Sequence, residues 1–106
     1  MAKAFVGNAA DGEQVKEAGN KEKRAREQEL SDLRAIMSHP TGRRTINRLL
    51  NFCGVFKLSY TGNSETFFKE GQRNVGLMLL TDVNECASDF YNDMINESKK
   101  ELLNNG

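Results

Sequence analysis

Leu30, Leu33, Ile36 and Met37 recur at i, i+3, i+6 and i+7, which sets them on one side of an α-helix. The residues before them, 21–31, are strong helix formers without Gly or Pro, so the pattern predicts a first helix from about residue 21. It should stop near Ser38, because Pro40 pushes His39 out of the α region. A second helix restarts at Pro40-Thr41-Gly42, with Thr41 able to cap a neighbouring amide, and carries Ile46, Leu49, Leu50 and Cys53 at helical spacing. Gly54 stands where a C-terminal cap belongs. Residues 55–63 alternate too briefly for a stable strand and read as a long loop packed by Val55, Phe56, Leu58 and Tyr60.

Gly62, Asn63 and Ser64 form a turn that caps a third helix, with Gly62 at positive φ and Glu65 favourable in the first turn. Phe67, Gly71, Val75, Met78, Leu79, Val83 and Cys86 make its apolar stripe. Gly71 and Gly76 each cost about 1 kcal/mol inside a helix, which points to close backbone packing there. Ser88 and Asp89 offer a further cap, and Phe90, Tyr91, Met94, Ile95 and Leu102 mark a last helix. Residues 1–20 show almost no apolar periodicity and read as a flexible tail. The predicted fold is all-α: a small bundle of about four helices, three of them around one core. It has a long loop between the second and third helices, a polar N-terminal tail over 1–20 and a helical domain over 21–106.

Composition adds constraints. The chain has 106 residues, 38% of them apolar, and its 15 basic and 15 acidic side chains cancel. A general polyanion binder carries a basic excess, so neutrality argues against that class. The charge is unevenly spread: residues 1–32 sum to −1, 33–73 to +5 and 74–106 to −4. The positive middle can pair with the negative end within a chain or between copies. No run approaches the roughly 18 apolar residues of a membrane span, and the N-terminus lacks a signal-peptide core. Two cysteines are too few to staple a secreted mini-protein. A soluble protein made in the cytosol, with reduced thiols, is the expectation.

Catalytic and cofactor patterns are sparse. His39, Cys53 and Cys86 match no zinc spacing, and the cysteines fall on apolar stripes. A Cys53–His39 nucleophile pair lacks an orienting third group. No phosphate-cradling glycine motif occurs. Asp82, Glu85, Asp89 and Asp93 read as a solvated helix face. The chain is therefore read as a non-enzyme without cofactor or metal. Arg43, Arg44 and Arg48 at a helix start, with Arg73, are the partner- or phosphate-contact candidates. An ordinary solvated face and pairing with a neighbour's acidic helix are the competing readings. Phe67-Phe68 and Phe90-Tyr91 each can leave one ring outside the core, making Phe68 and Tyr91 candidate interface aromatics.

Several strings are distinctive in order and spacing. They are Leu33-Arg34-Ala35-Ile36-Met37, His39-Pro40-Thr41-Gly42-Arg43-Arg44, Leu49-Leu50 and Cys53-Gly54-Val55-Phe56. Ser59, Thr61-Gly62-Asn63-Ser64-Glu65-Thr66-Phe67-Phe68, Glu70-Gly71, Arg73-Asn74-Val75-Gly76 and Leu79-Leu80 follow. From Leu33 to about Glu85 the chain resembles a small structural-protein family of short-tailed bacteriophages. The resemblance implies a virion component of a podovirus-like phage, docking on portal, head or tail proteins. A ring of identical copies is compatible with it, and DNA contact is not favoured. The alternative is a small phage DNA-binding or regulatory protein acting in the infected cell. A third reading has the acidic C-terminal helix mimic nucleic acid to inhibit a host enzyme.

Overall fold

The computed structural model of the chain describes residues 2–57 and 65–105. Its elements are α1 over Ala2–Met37, α2 over Pro40–Phe52 and α3 over Glu65–Asn105. All regular structure among the described residues is helical. Among the described residues three helices stand where the pattern predicts about four. The break expected after Cys86 is a bend within α3, at Ala87, whose φ of −151° and ψ of 43° leave the helical range. Gly62, Asn63 and Ser64, the predicted turn and cap, lie outside the described residues.

The predicted N-terminal tail is helical from Ala2. Packing does not explain the helix over 12–25, where every side chain is exposed. Once residues 21–37 are helical, each further residue adds a hydrogen bond without a new nucleus, and no proline intervenes.

The α1–α2 turn is built almost entirely from backbone. The Ser38 amide donates to the Arg34 carbonyl at 2.9 Å and the His39 amide to that of Ile36 at 3.3 Å. His39, extended at φ −109° and ψ 141° as a residue before proline prefers, is the N-cap of α2. No side chain caps that helix. Thr41, read as a cap, lies inside it and its carbonyl accepts from Thr45 Oγ1 at 2.9 Å. At the other end, Gly54 adopts φ 75°. The Gly54 amide donates to Asn51 and the Val55 amide to Leu50, the two bonds of a Schellman cap.

Cross-helix contacts fix the directions. Arg26 and Arg34 of α1 meet Asp82 and Asp89 of α3 in the same order, so these two helices run parallel. Arg43 at the start of α2 meets Glu97, and Cys53 past its end meets Gly76, so α2 runs against α3. The core is Met37, Ile46, Leu50, Val55, Val83, Ala87 and Met94, flanked by Leu33, Leu80, Phe90 and Ile95 among others. The bend at Ala87 lets both halves of α3 contribute to it. With extents of 73 × 39 × 15 Å and a radius of gyration of 20.6 Å, the molecule is elongated. A compact chain of this length would have a radius of about 13 Å.

Two glycines are where backbones touch. A Cβ on Gly42 would overlap the Ile36 carbonyl oxygen and lie 2.7 Å from its carbon. One on Gly76 would overlap Val55 and lie 2.6 Å from the Cys53 Cβ. The close packing expected at Gly76 is thus present, whereas Gly71 faces open space. Gly76→Ala should lower stability by about 1–3 kcal/mol through overpacking. Gly19→Ala, whose new methyl meets nothing, should raise helicity without lowering the midpoint. Thermal unfolding followed by circular dichroism reads both; equal effects would contradict the packing described.

Candidate functional site

Of the candidate arginines, Arg43 turns inward. The residue is 9% exposed, the buried charged side chain of the core. Its Nε donates to Glu97 Oε1 at 2.8 Å and its Nη1 to the carbonyl of Met37 at 2.9 Å. The guanidinium also lies over the Phe90 ring, 5.8 Å from its centroid. One side chain of α2 thereby holds the last carbonyl of α1, an acid on α3 and an aromatic on α3. Arg43 is therefore not a free phosphate contact.

Arg34 lies over the same ring, 4.8 Å from its centroid. Its Nη1 donates to the Cys86 carbonyl at 2.9 Å, and both its terminal nitrogens reach the Asp89 carboxylate, at 3.1 and 3.2 Å. In an unbroken helix the Cys86 carbonyl would accept from the Phe90 amide. Here Arg34 also donates to that carbonyl from α1. The Arg34 guanidinium first, and the nearby backbone of Phe90 and Asp89 after it, hold the Asp89 carboxyl below its ordinary value. One α1 guanidinium thus bridges the bend at Ala87, bonding Cys86 before it and Asp89 after it. Lower down, Arg26 Nη2 donates to Asp82 at 2.5 Å and to Glu85 at 3.2 Å. The acids read as a solvated face are therefore, at Asp82, Glu85 and Asp89, partners of α1 arginines. The internal reading of the charge asymmetry holds for Arg34 and Arg43.

What stays on the surface is different in character. Arg44 and Arg48 are exposed on the outer side of α2. Phe52, 75% exposed, continues their i, i+4, i+8 row, with half-exposed Leu49 beside it. Arg44 shares with Glu97 and Glu101 a crevice of about 20 Å³, room for a single water. Arg73 is half-buried, and its Nε is buried without a partner among the described residues. Phe67 and Phe68 are both exposed, at 82% and 69%, where one was expected in the core. Tyr91 is half-buried against the core. The predicted stripe of α3 therefore splits, Val83 going inside while Phe67, Val75 and Met78 face outward.

The remaining chemistry is dispersed. His39 and Cys53 lie at opposite ends of α2, about 20 Å apart at 1.5 Å per residue, so they form no pair. Burial pushes the Cys86 thiol above its ordinary value, opposite to activation. Among the described residues no group of three or more His, Cys, Asp or Glu could hold a metal ion. The larger surface cleft, about 230 Å³, is lined by Phe52, Cys53, Lys57, Lys69 and Gln72 among others. No helix among the described residues is long and apolar enough to cross a membrane.

The family model for Bbp19-like phage protein matches residues 33–96. The chain belongs to that family. No curated protein and no solved structure matches it. The family match begins at Leu33, where the sequence resemblance also begins, and runs across the bend in α3. It encloses every buried apolar residue of the core, from Met37 to Met94. Arg34, Arg43 and Asp89 lie inside it, Arg26 lies before it, and Glu97 stands one residue beyond it. The family segment is therefore the packed unit, and the exposed α1 extension is an addition to it.

Sequence reasoning missed Arg26 and Arg34. The signal was present in the acids at 82, 85 and 89 facing basic residues at 26 and 34, but only a parallel α1–α3 pairing makes the spacings correspond. Removing Arg43 leaves Glu97 and the Met37 carbonyl without their donor. Because Glu97 is partly solvated, Arg43→Ala should cost about 2–3 kcal/mol, below a fully buried pair. Urea unfolding checks this, with Arg44→Ala near zero as the contrast. The Asp89 pair predicts a pH dependence with a definite sign. Its contribution is complete above the ordinary value of 3.8 and is lost as pH falls through the lower folded-state value. Asp89→Asn should flatten that acid limb in stability measured against pH; an unchanged limb would contradict the pairing.

Proposed function

We propose that this chain is a structural component of the virion of a short-tailed, podovirus-like phage. In this reading it docks on portal, head–tail or internal head proteins during assembly or genome delivery. Membership of a phage protein family supports the setting. The observation that carries the docking is the outer side of α2, where Arg44, Arg48, Leu49 and Phe52 stand exposed together. Arginine and aromatic side chains are the types that anchor protein interfaces. The Arg43–Glu97 pair beneath them fixes the helix without using their charge. Such a surface suits an acidic patch with an apolar centre on a larger partner.

The exposed Arg44–Arg48 pair also supports the second reading, a small DNA-binding or regulatory protein. Against it stand the net neutrality of the chain, Arg43 already engaged by Glu97, and Glu97 and Glu101 beside Arg44. Mass spectrometry of gradient-purified phage particles should detect the chain. Particles carrying Arg44→Glu with Arg48→Glu should lose it at least tenfold, the isolated variant keeping its helicity. A chain found only in infected-cell lysate would overturn the virion reading. Duplex binding with a steep salt dependence would then favour the alternative.

A further inference from the structure

The N-terminal half of α3 has two apolar sides. One carries Gly76, Leu80 and Val83 toward the core. The other carries Phe67, Phe68, Val75 and Met78, which are 82%, 69%, 63% and 70% exposed. Phe68, Gly71, Val75 and Met78 are spaced three, four and three apart, the a/d seam of two heptads. A Cβ on Gly71 would meet nothing within 4 Å, so the centre of this seam is open to a neighbouring helix.

We propose that a second copy of this chain covers this seam, the two α3 helices pairing through Phe67, Phe68, Val75 and Met78. The four side chains present roughly 600 Å² of surface, given 150–250 Å² for each aromatic. That is most of the roughly 800 Å² per partner that a standard interface buries. No charged residue interrupts the seam: Glu65, Lys69, Glu70 and Arg73 fall outside it, and Lys69 pairs with Glu65 of its own chain at 3.4 Å. An acidic or basic partner would find no matching charge there, whereas an uncharged apolar helix face matches it, and this chain supplies one. The described exposed stretch of α1, 12–25, does not, because it carries Val15 among Glu, Lys, Gln and Arg. A symmetric pairing presents the same patch twice and closes on itself. This inference is independent of virion docking, which uses the outer side of α2.

Sedimentation velocity on the full chain, from micromolar to near-millimolar concentration, tests it without phage particles. The wild type should sediment as a dimer. Val75→Glu and Met78→Glu, examined separately, should each weaken association at least a hundredfold with helicity unchanged. Leu103→Glu, at a site 81% exposed but far along α3, should leave the dimer intact. A wild type that stays monomeric throughout, or glutamate variants that still dimerise, would overturn the proposal. So would equal dissociation by Leu103→Glu.

Discussion

A single buried guanidinium sets the geometry of this small fold. α1 ends at Met37 and α2 starts at Pro40, so the chain reverses with two residues to spare and no side-chain cap on α2. That reversal leaves carbonyls at the end of α1 facing the start of α2. Arg43, one turn into α2, donates to the last of them and turns its Nε to Glu97. An arginine suits the position because its planar fork serves two acceptors at once, where a lysine would present a point charge. The same group rests on Phe90, a ring it shares with Arg34. The order of constraint is thus a tight turn, an arginine that satisfies it, and a third helix positioned by that arginine's acid partner.

Charge consequently has two roles in the chain. Arg26, Arg34 and Arg43 are engaged by the acids of α3, which explains how a chain with a net positive middle and a net negative end is internally balanced. Surface ion pairs such as Arg26–Asp82 contribute little singly. Here they also select the parallel register of α1 on α3 and hold the bend at Ala87. Seven buried apolar residues among those described make a small core, and large apolar side chains remain outside it. Six of them fall on two separate surfaces: Leu49 and Phe52 on the outer side of α2, and Phe67, Phe68, Val75 and Met78 on the seam of α3. The two associations proposed above would each cover one of these surfaces.

Much of this was legible in the sequence. Pro40 and Gly54 bracket α2 because proline and glycine act through backbone geometry, which is local. The apolar spacing located Met37, Ile46, Leu50, Val83 and Met94. Gly76 signalled a close approach that the structure contains. The bend at Ala87 falls where a cap sequence suggested a new helix, since Ser88 and Asp89 offered the right chemistry and Arg34 then held the two halves together. Less was legible where the answer depends on which helix lies opposite. Arg43 and Arg44 are neighbours of identical type, and only the 100° step between them puts one inside and one outside. Likewise Phe67, Val75 and Met78 share an apolar periodicity with Val83, but they drift around the helix over the intervening turns and finish on its far side. The length of α1 before residue 21 was missed because helix propagation needs no apolar face.

The central claim is that the Arg43 Nε–H is sequestered between α2 and α3 by Glu97. Side-chain amide exchange, followed in nitrogen-detected NMR spectra of the arginine Nε–H groups, measures this directly. The account predicts a slowly exchanging Arg43 signal that persists at pH values where those of Arg44 and Arg48 have vanished. An Arg43 Nε–H exchanging as fast as its exposed neighbours would contradict it.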